Sequence, residues 1–430
     1  MTRAYAHKNP RTEQAMTVKP RMVFADNQGR IFDHPDLLMV CRKGHEFILP
    51  GPADLIPLPQ GSDIFLLPGR HCLGFNQHRG SLKYEQGQAV AGFVSPGHTL
   101  SGICAYITDP GQDPLPMFAY GALGYARGKF WVCAREVDQD QRQNFQDIEP
   151  SRIEHGADVL LQKYPDNRLL QHLAGCAKEY CCPAARNLAL GRFEAPLPTA
   201  RQCNANCVGC ISKQPKDSGF PATQQRIGFQ PTPQEILEVM LEHAQNESRP
   251  IFSFGQGCEG EPLTEAEIIK EAISAYRGQN RAGTINVNTN ASLPWAIPEL
   301  ASAGLDSIRV SLNSVRQELY DPYFRPQGYS FQDVLESIRL AKEHGLFVSL
   351  NYLFSPGIND SEEEFAALEN FVHERRIDFI QLRNLNLDPE LYLELLPKQT
   401  SPSMGLKNFL RRLKKNHPQL GVGYFNPYLG

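Results

Sequence analysis

Three cysteines, Cys203, Cys207 and Cys210, stand in the run Arg-Gln-Cys-Asn-Ala-Asn-Cys-Val-Gly-Cys with the spacing C-x3-C-x2-C. A structural zinc site takes four closed ligands, commonly as two C-x2-C halves, and here the second half is missing. An iron–sulfur cubane takes one thiolate per iron, so three thiolates leave one iron without a protein ligand. An open iron can take a chelating small molecule, which suits the loop to chemistry rather than to electron storage alone. The residues by themselves leave three readings: a reactive cluster, an electron-transfer or redox-sensing Fe–S protein, and a zinc-binding structural module.

About one βα unit later an apolar run, Ile251–Phe254, ends in Gly255-Gln-Gly-Cys-Glu-Gly-Glu-Pro-Leu263. Glycines at a strand end let the backbone approach a ligand closely, and its exposed polar groups can bind a charged end of a small molecule. Cys258 sits in this turn, either as a small buried residue or as a hydrogen-atom donor or extra ligand. Cys176, Cys181 and Cys182, in Gly-Cys-Ala-Lys-Glu-Tyr-Cys-Cys-Pro, shortly precede the triad and form a candidate auxiliary metal site. Cys41, Cys72, Cys104 and Cys133 sit in apolar runs without partners at ligand spacing and read as core thiols. His71 and His344 read as structural, and the basic cluster Lys407, Arg411, Arg412, Lys414 and Lys415 as the solvated face of a helix.

The elements that must position these residues follow from the pattern. The chain has 430 residues, 41% hydrophobic and 21% charged, enough for two or three domains of an ordinary globular protein. A net charge of −4 gives no electrostatic case for nucleic acid or an anionic membrane. No apolar run reaches the ~20 residues of a membrane span. The N-terminus lacks the apolar core of a secretory signal, and eleven cysteines in a chain this long do not make a disulfide scaffold. A cytoplasmic setting is expected.

Residues 1–21 read as a flexible arm. Residues 22–138 read as a β-rich domain, from short apolar runs such as Leu37–Cys41 and Ile64–Leu67 and a hairpin turn in Tyr125-Ala-Arg-Gly-Lys-Phe-Trp. Residues 139–197 read as a helical bridge. Residues 198–430 alternate strands, at 251–254, 284–288, 307–312, 347–354, 379–383 and 422–425, with helical periods. Thr232-Pro-Gln-Glu235 and Thr264-Glu-Ala-Glu267 predict capping-box helix starts. This order predicts an α/β class with a parallel sheet closed or partly closed as a TIM-like (β/α)6 barrel, with ligands at the C-terminal strand ends.

From residue 198 to about 400 the chain resembles the radical S-adenosylmethionine (radical SAM) enzyme superfamily. Cys203, Cys207 and Cys210 match its cluster triad, and Gly260-Glu261-Pro262 matches the strand-end motif whose backbone holds the methionine amino group. Asn288 and Asn290, then Ser311 and Asn313, look like the polar positions that meet the ribose and carboxylate. Ser355-Pro-Gly-Ile-Asn-Asp360 is similar to the family's turn beside the adenine. Arg383, at the sixth strand end, is a further candidate for the SAM carboxylate or a structural arginine.

The resemblance implies a 4Fe–4S cluster that binds SAM through its open iron and cleaves it to methionine and a 5′-deoxyadenosyl radical. That radical abstracts hydrogen from a substrate, which the sequence does not name. An external donor such as flavodoxin or ferredoxin would supply the electron. The β-rich domain would then cover the barrel mouth or present the substrate, because a radical enzyme shields its intermediate. Two positions depart from the family. Gly209 stands where an aromatic residue usually precedes the third cysteine, and Glu259 replaces the first glycine of the usual Gly-Gly-Glu-Pro. Neither removes a ligand. No cysteine follows Cys258, so the C-terminal auxiliary-cluster extension of some peptide-modifying relatives is not expected, and no cobalamin-binding signature is seen.

Overall fold

The computed structural model describes residues 18–398 and 401–430. The expected arm over residues 1–21 therefore lies almost entirely outside the described residues. Twelve antiparallel strands occupy Arg21–Glu136, organised around the long hairpin of Asp63–Asn76 and Ser81–Phe93. The predicted turn closes at Arg127 and Gly128, whose φ of 53° and 78° fit a two-residue hairpin with Ala126 opposite Lys129. Three helices follow, Pro150–Lys163, Arg168–Lys178 and Pro183–Ala189. The second opens on Asn167, whose side chain accepts from Leu170 N.

Seven parallel strands then pair strictly in chain order: Glu194–Pro196, Ile251–Phe254, Thr284–Thr289, Ser307–Leu312, Phe347–Phe354, Phe379–Asn384 and Gly421–Gly423. The sheet curls into a partial barrel with crossover helices outside it. Its second and third strands are buried at every position, as expected of parallel strands covered on both faces. Six strands match the sequence expectation. The additional first strand has only three residues and ends in proline, too short for periodicity to reveal. The Thr232 capping box forms. The Thr264 box does not: a 3-10 turn, Pro262–Glu265, precedes the helix Ala266–Gln279, and Glu261 caps that turn by accepting from Leu263 N.

The β-rich layer lies on the C-terminal ends of the fifth and sixth barrel strands. Gly44 N donates to Pro356 O at 2.8 Å, Thr99 Oγ1 to Leu382 O at 2.8 Å and Leu100 N to Asn384 Oδ1 at 2.8 Å. Asp388 accepts from Arg70 at 3.3 Å and from Leu115 N at 2.7 Å, with both charged side chains nearly fully buried. One end of the half-barrel is thereby covered, and it is the end at which the cysteine loop leaves the first strand.

Candidate active site

The cysteine loop is held by the chain on two sides. Val208 N donates to Tyr323 O, Gln327 N donates to Asn204 O, and Ala205 bridges Pro326, so the end of the helix Gln317–Phe324 clamps its outer edge. Gln214 Nε2 spans Val208 O and Cys210 O. A Cβ on Gly209 would come within 2.5 Å of the Tyr323 hydroxyl, so the ring reached from the neighbouring helix occupies the space a side chain there would need. On the inner side Gly260 N donates to Ala200 O at 2.7 Å and Glu261 N to Gln202 O at 2.8 Å. A Cβ on Gly260 would lie 1.8 Å from Gln202 O, which requires glycine for this approach.

Cys203, Cys207 and Cys210 line a cleft of about 850 Å³ together with Arg201, Lys213, Arg226 and Arg325. Arg226 reaches Cys210 Sγ at 3.5 Å. Burial pushes Cys203 up to about 11 and Cys207 well above the ordinary thiol value, so a bound cation is what would draw these groups into thiolates.

Two buried carboxylates order the turn behind the cleft. Glu261 accepts from Thr289 Oγ1 and from Asn290 N at 2.8 Å, joining the second and third strand ends. Glu259 accepts from four backbone N–H groups: Gly255 at 2.6 Å, Gln256 and Thr199 at 2.7 Å, and Ala200 at 2.9 Å. It ties the strand-end turn to the chain just ahead of the cysteines. Burial pushes each carboxyl up to about 7, against the pull of those donors.

The other expected site residues are distributed unevenly. Asn290 Nδ2 donates to Asn204 Oδ1 at 2.9 Å, within the cysteine loop, while Asn288 Nδ2 donates to Gly255 O at 3.2 Å. Ser311 accepts from Asn351 at 3.4 Å. Asn313 is fully buried and its Nδ2 donates to Leu319 O and Tyr392 Oη, while its Oδ1 has no hydrogen-bond partner among the described residues. In the 355–360 turn, Asn359 folds back on Ser355 N and Asn313 O, and Asp360 on Gly357 N. Arg383 donates to Tyr424 O and lies 4.0 Å from the centre of that ring. Cys258 is 2% exposed, and its thiol meets Cys176 rather than lining the cleft. Cys181 is exposed and Cys182 half-buried. Cys41, Cys72, Cys104 and Cys133 are all buried.

A family model described as the Radical SAM superfamily matches residues 197–368, which begin two residues before the first Glu259 contact and include the triad, Gly260-Glu261-Pro262 and the third to fifth strands. Those residues are a radical SAM domain. GTP 3',8-cyclase of Rippkaea orientalis is 33% identical over 134 residues, 30% of this chain and 40% of that protein. GTP 3',8-cyclase of Campylobacter lari is 28% identical over 190 residues, covering 43% and 54%. The alignments span about half the length of these curated relatives, or less. A radical SAM methyltransferase structure from Sphaerobacter thermophilus aligns with 55% of this chain and 67% of its own at 16% identity and a TM-score of 0.37.

The residues present fit the cofactors that a radical SAM domain implies. Three thiols of one short loop line the cleft wall, a donor set that would leave one iron of a cubane without a protein ligand. The cleft is of ligand size, and four cations stand around it against one acid, Asp217. Sequence reasoning missed Arg226, the Tyr323–Gln327 clamp and the acceptor role of Glu259. Only Glu259 left a local signal, as the departure from the family's glycine. Among the described residues no helix is long and apolar enough to cross a membrane.

Proposed function

We propose that this chain is a radical SAM enzyme whose Cys203, Cys207 and Cys210 hold a 4Fe–4S cluster, with SAM bound over the Gly260-Glu261-Pro262 turn. The observation that carries this reading is the pairing of that turn, through Gly260 N and Glu261 N, with the backbone that leads directly into Cys203. When bound, the cluster supplies one-electron reductive cleavage of SAM for hydrogen abstraction from a substrate. The chain's own part is orientation and exclusion. Glu259 and Glu261 fix the turn, Arg226 sets a positive charge beside Cys210, and the β-rich layer covers part of the barrel mouth against water.

Arg201, Lys213, Arg226 and Arg325 favour an anionic substrate. The GTP 3',8-cyclase relatives make a nucleotide the first to test. A flavodoxin or ferredoxin would supply the electron.

The test is anaerobic reconstitution. The protein should hold about four irons per triad cluster and release 5′-deoxyadenosine from SAM under strong reductant. Single Cys203→Ala, Cys207→Ala and Cys210→Ala variants should each lose the cluster. Full iron in all three variants would refute the site. A replete cluster that neither binds nor cleaves SAM would instead leave an electron-transfer or redox-sensing protein.

A further inference from the structure

A second convergence of metal-ligating atoms lies behind the strand-end turn. On the helix Arg168–Lys178, His172 and Cys176 are four residues apart and so share one face. Cys258 reaches the same point from the loop after the second barrel strand. His172 Nε2 is 3.5 Å from Cys176 Sγ, and the ligand atoms of His172, Cys176 and Cys258 all lie within 4.8 Å of one another. Cys176 is 4% exposed and Cys258 2%. Cys182 follows on the turn out of this helix and is half-buried. Cys181 is turned outward at φ 53° and takes no part.

We propose that His172, Cys176 and Cys258 hold a single zinc ion, its fourth position open to water or to a Cys182 thiol drawn in on binding. Two sulfurs at ~2.3 Å from one tetrahedral ion stand about 3.8 Å apart, and a sulfur and a nitrogen slightly less. The observed spacing is that of one ion, whereas a cubane spreads its thiolates over separate irons. Two or more thiolates with an imidazole select zinc by ligand softness. Binding releases the thiol protons to solvent and changes no oxidation state. The ion fastens the helical bridge to the residue next to Glu259, and thereby to the turn that follows it.

The experiment counts zinc and iron together in the full chain with its iron cluster reconstituted. The expected result is one zinc per chain that survives washing with a chelator, beside an undiminished iron content. Zinc K-edge absorption on the unmutated protein should show sulfur at ~2.3 Å and nitrogen at ~2.0 Å, a readout that needs no variant to fold. His172→Gln and Cys176→Ser should lose the zinc and keep the iron, whereas Cys133→Ala should lose neither. Iron-replete protein with no stoichiometric zinc would overturn the proposal. So would iron in this site, or a Cys176–Cys258 disulfide in anaerobically purified protein. Because the zinc count does not depend on SAM cleavage, its failure is distinct from failure of the radical SAM reading.

Discussion

Replacing Glu259 tests whether the departure from the family's glycine is structural. Its carboxylate is the acceptor for four backbone N–H groups in two segments, 199–200 and 255–256, and the residue is 4% exposed. A buried donor left without an acceptor costs about 1–3 kcal/mol, so four orphaned donors set a ceiling of roughly 4–12 kcal/mol. The vacated space can admit water that satisfies some of them, and removing the carboxylate also relieves the burial of a charge. The net expectation for Glu259→Ala or Glu259→Gly is about 3–4 kcal/mol. Glu259→Gln keeps the shape but turns one acceptor oxygen into a donor facing donors, for a loss of about 2 kcal/mol. At ~2–4 °C per kcal/mol for a domain of this size, the glycine variant should melt ~6–16 °C lower. The assay is thermal and urea unfolding of the reconstituted protein, with SAM affinity measured in parallel. Glu259→Gly moves the sequence toward the family pattern, so a consensus argument expects gain where the hydrogen bonds expect loss. Variants within about 0.5 kcal/mol of the parent would refute the acceptor role.

Gly260→Ala should abolish SAM binding and lower iron loading, because its Cβ meets Gln202 O at 1.8 Å and backbone on both sides must move; normal SAM affinity in a calorimetric titration would contradict that. Glu235 is held at about 2, chiefly by its hydrogen bonds from Arg168 and against an ordinary value of 4.5, so its contribution is complete above pH ~4.5 and fades as pH falls toward 2. Arg168 is about half exposed, so after screening Glu235→Gln should cost on the order of 1–2 kcal/mol at pH 7, with the gap to the parent closing on acidification in urea unfolding series. Asp388→Ala leaves Arg70 buried without its carboxylate and should cost about 3–5 kcal/mol, read as earlier proteolytic cleavage between the β-rich layer and the barrel.

Local spacing made the triad and the Gly260-Glu261-Pro262 turn legible, and β/α alternation made the parallel sheet legible, because each signal is carried by neighbours in sequence. What escaped was set by distant pairing. Asn313 looks like any polar strand-end residue, and its bonds to Leu319 O and Tyr392 Oη come only with the fold. The contact of Arg383 Nη1 with Tyr424, 41 residues on, likewise comes only with the fold. The auxiliary set was sought among vicinal cysteines. The i,i+4 spacing of His172 and Cys176 on one helix was the usable signal, but Cys258 joins them only through the fold. The strand order of the β-rich layer was beyond reach for the same reason, since antiparallel partners such as Arg21 and Tyr125 are far apart in the chain.

Residues 255–262 are where these observations meet. A strand end with glycine in place of Glu259 would need its turn fixed by something else, and here the carboxylate does it from inside by gathering N–H groups of both flanking segments. One residue earlier, Cys258 anchors the same turn to the helical bridge through Cys176. Two residues later, Glu261 anchors it to the third strand. Cys258, Glu259 and Glu261 thus bind the turn to three separate parts of the molecule, leaving Gly260, with no side chain, as the point at which backbone comes up to the cysteine loop. A turn fastened on three sides holds its polar backbone in place before any ligand arrives, and that preorganisation is what binding a flexible, charged small molecule beside a cluster demands.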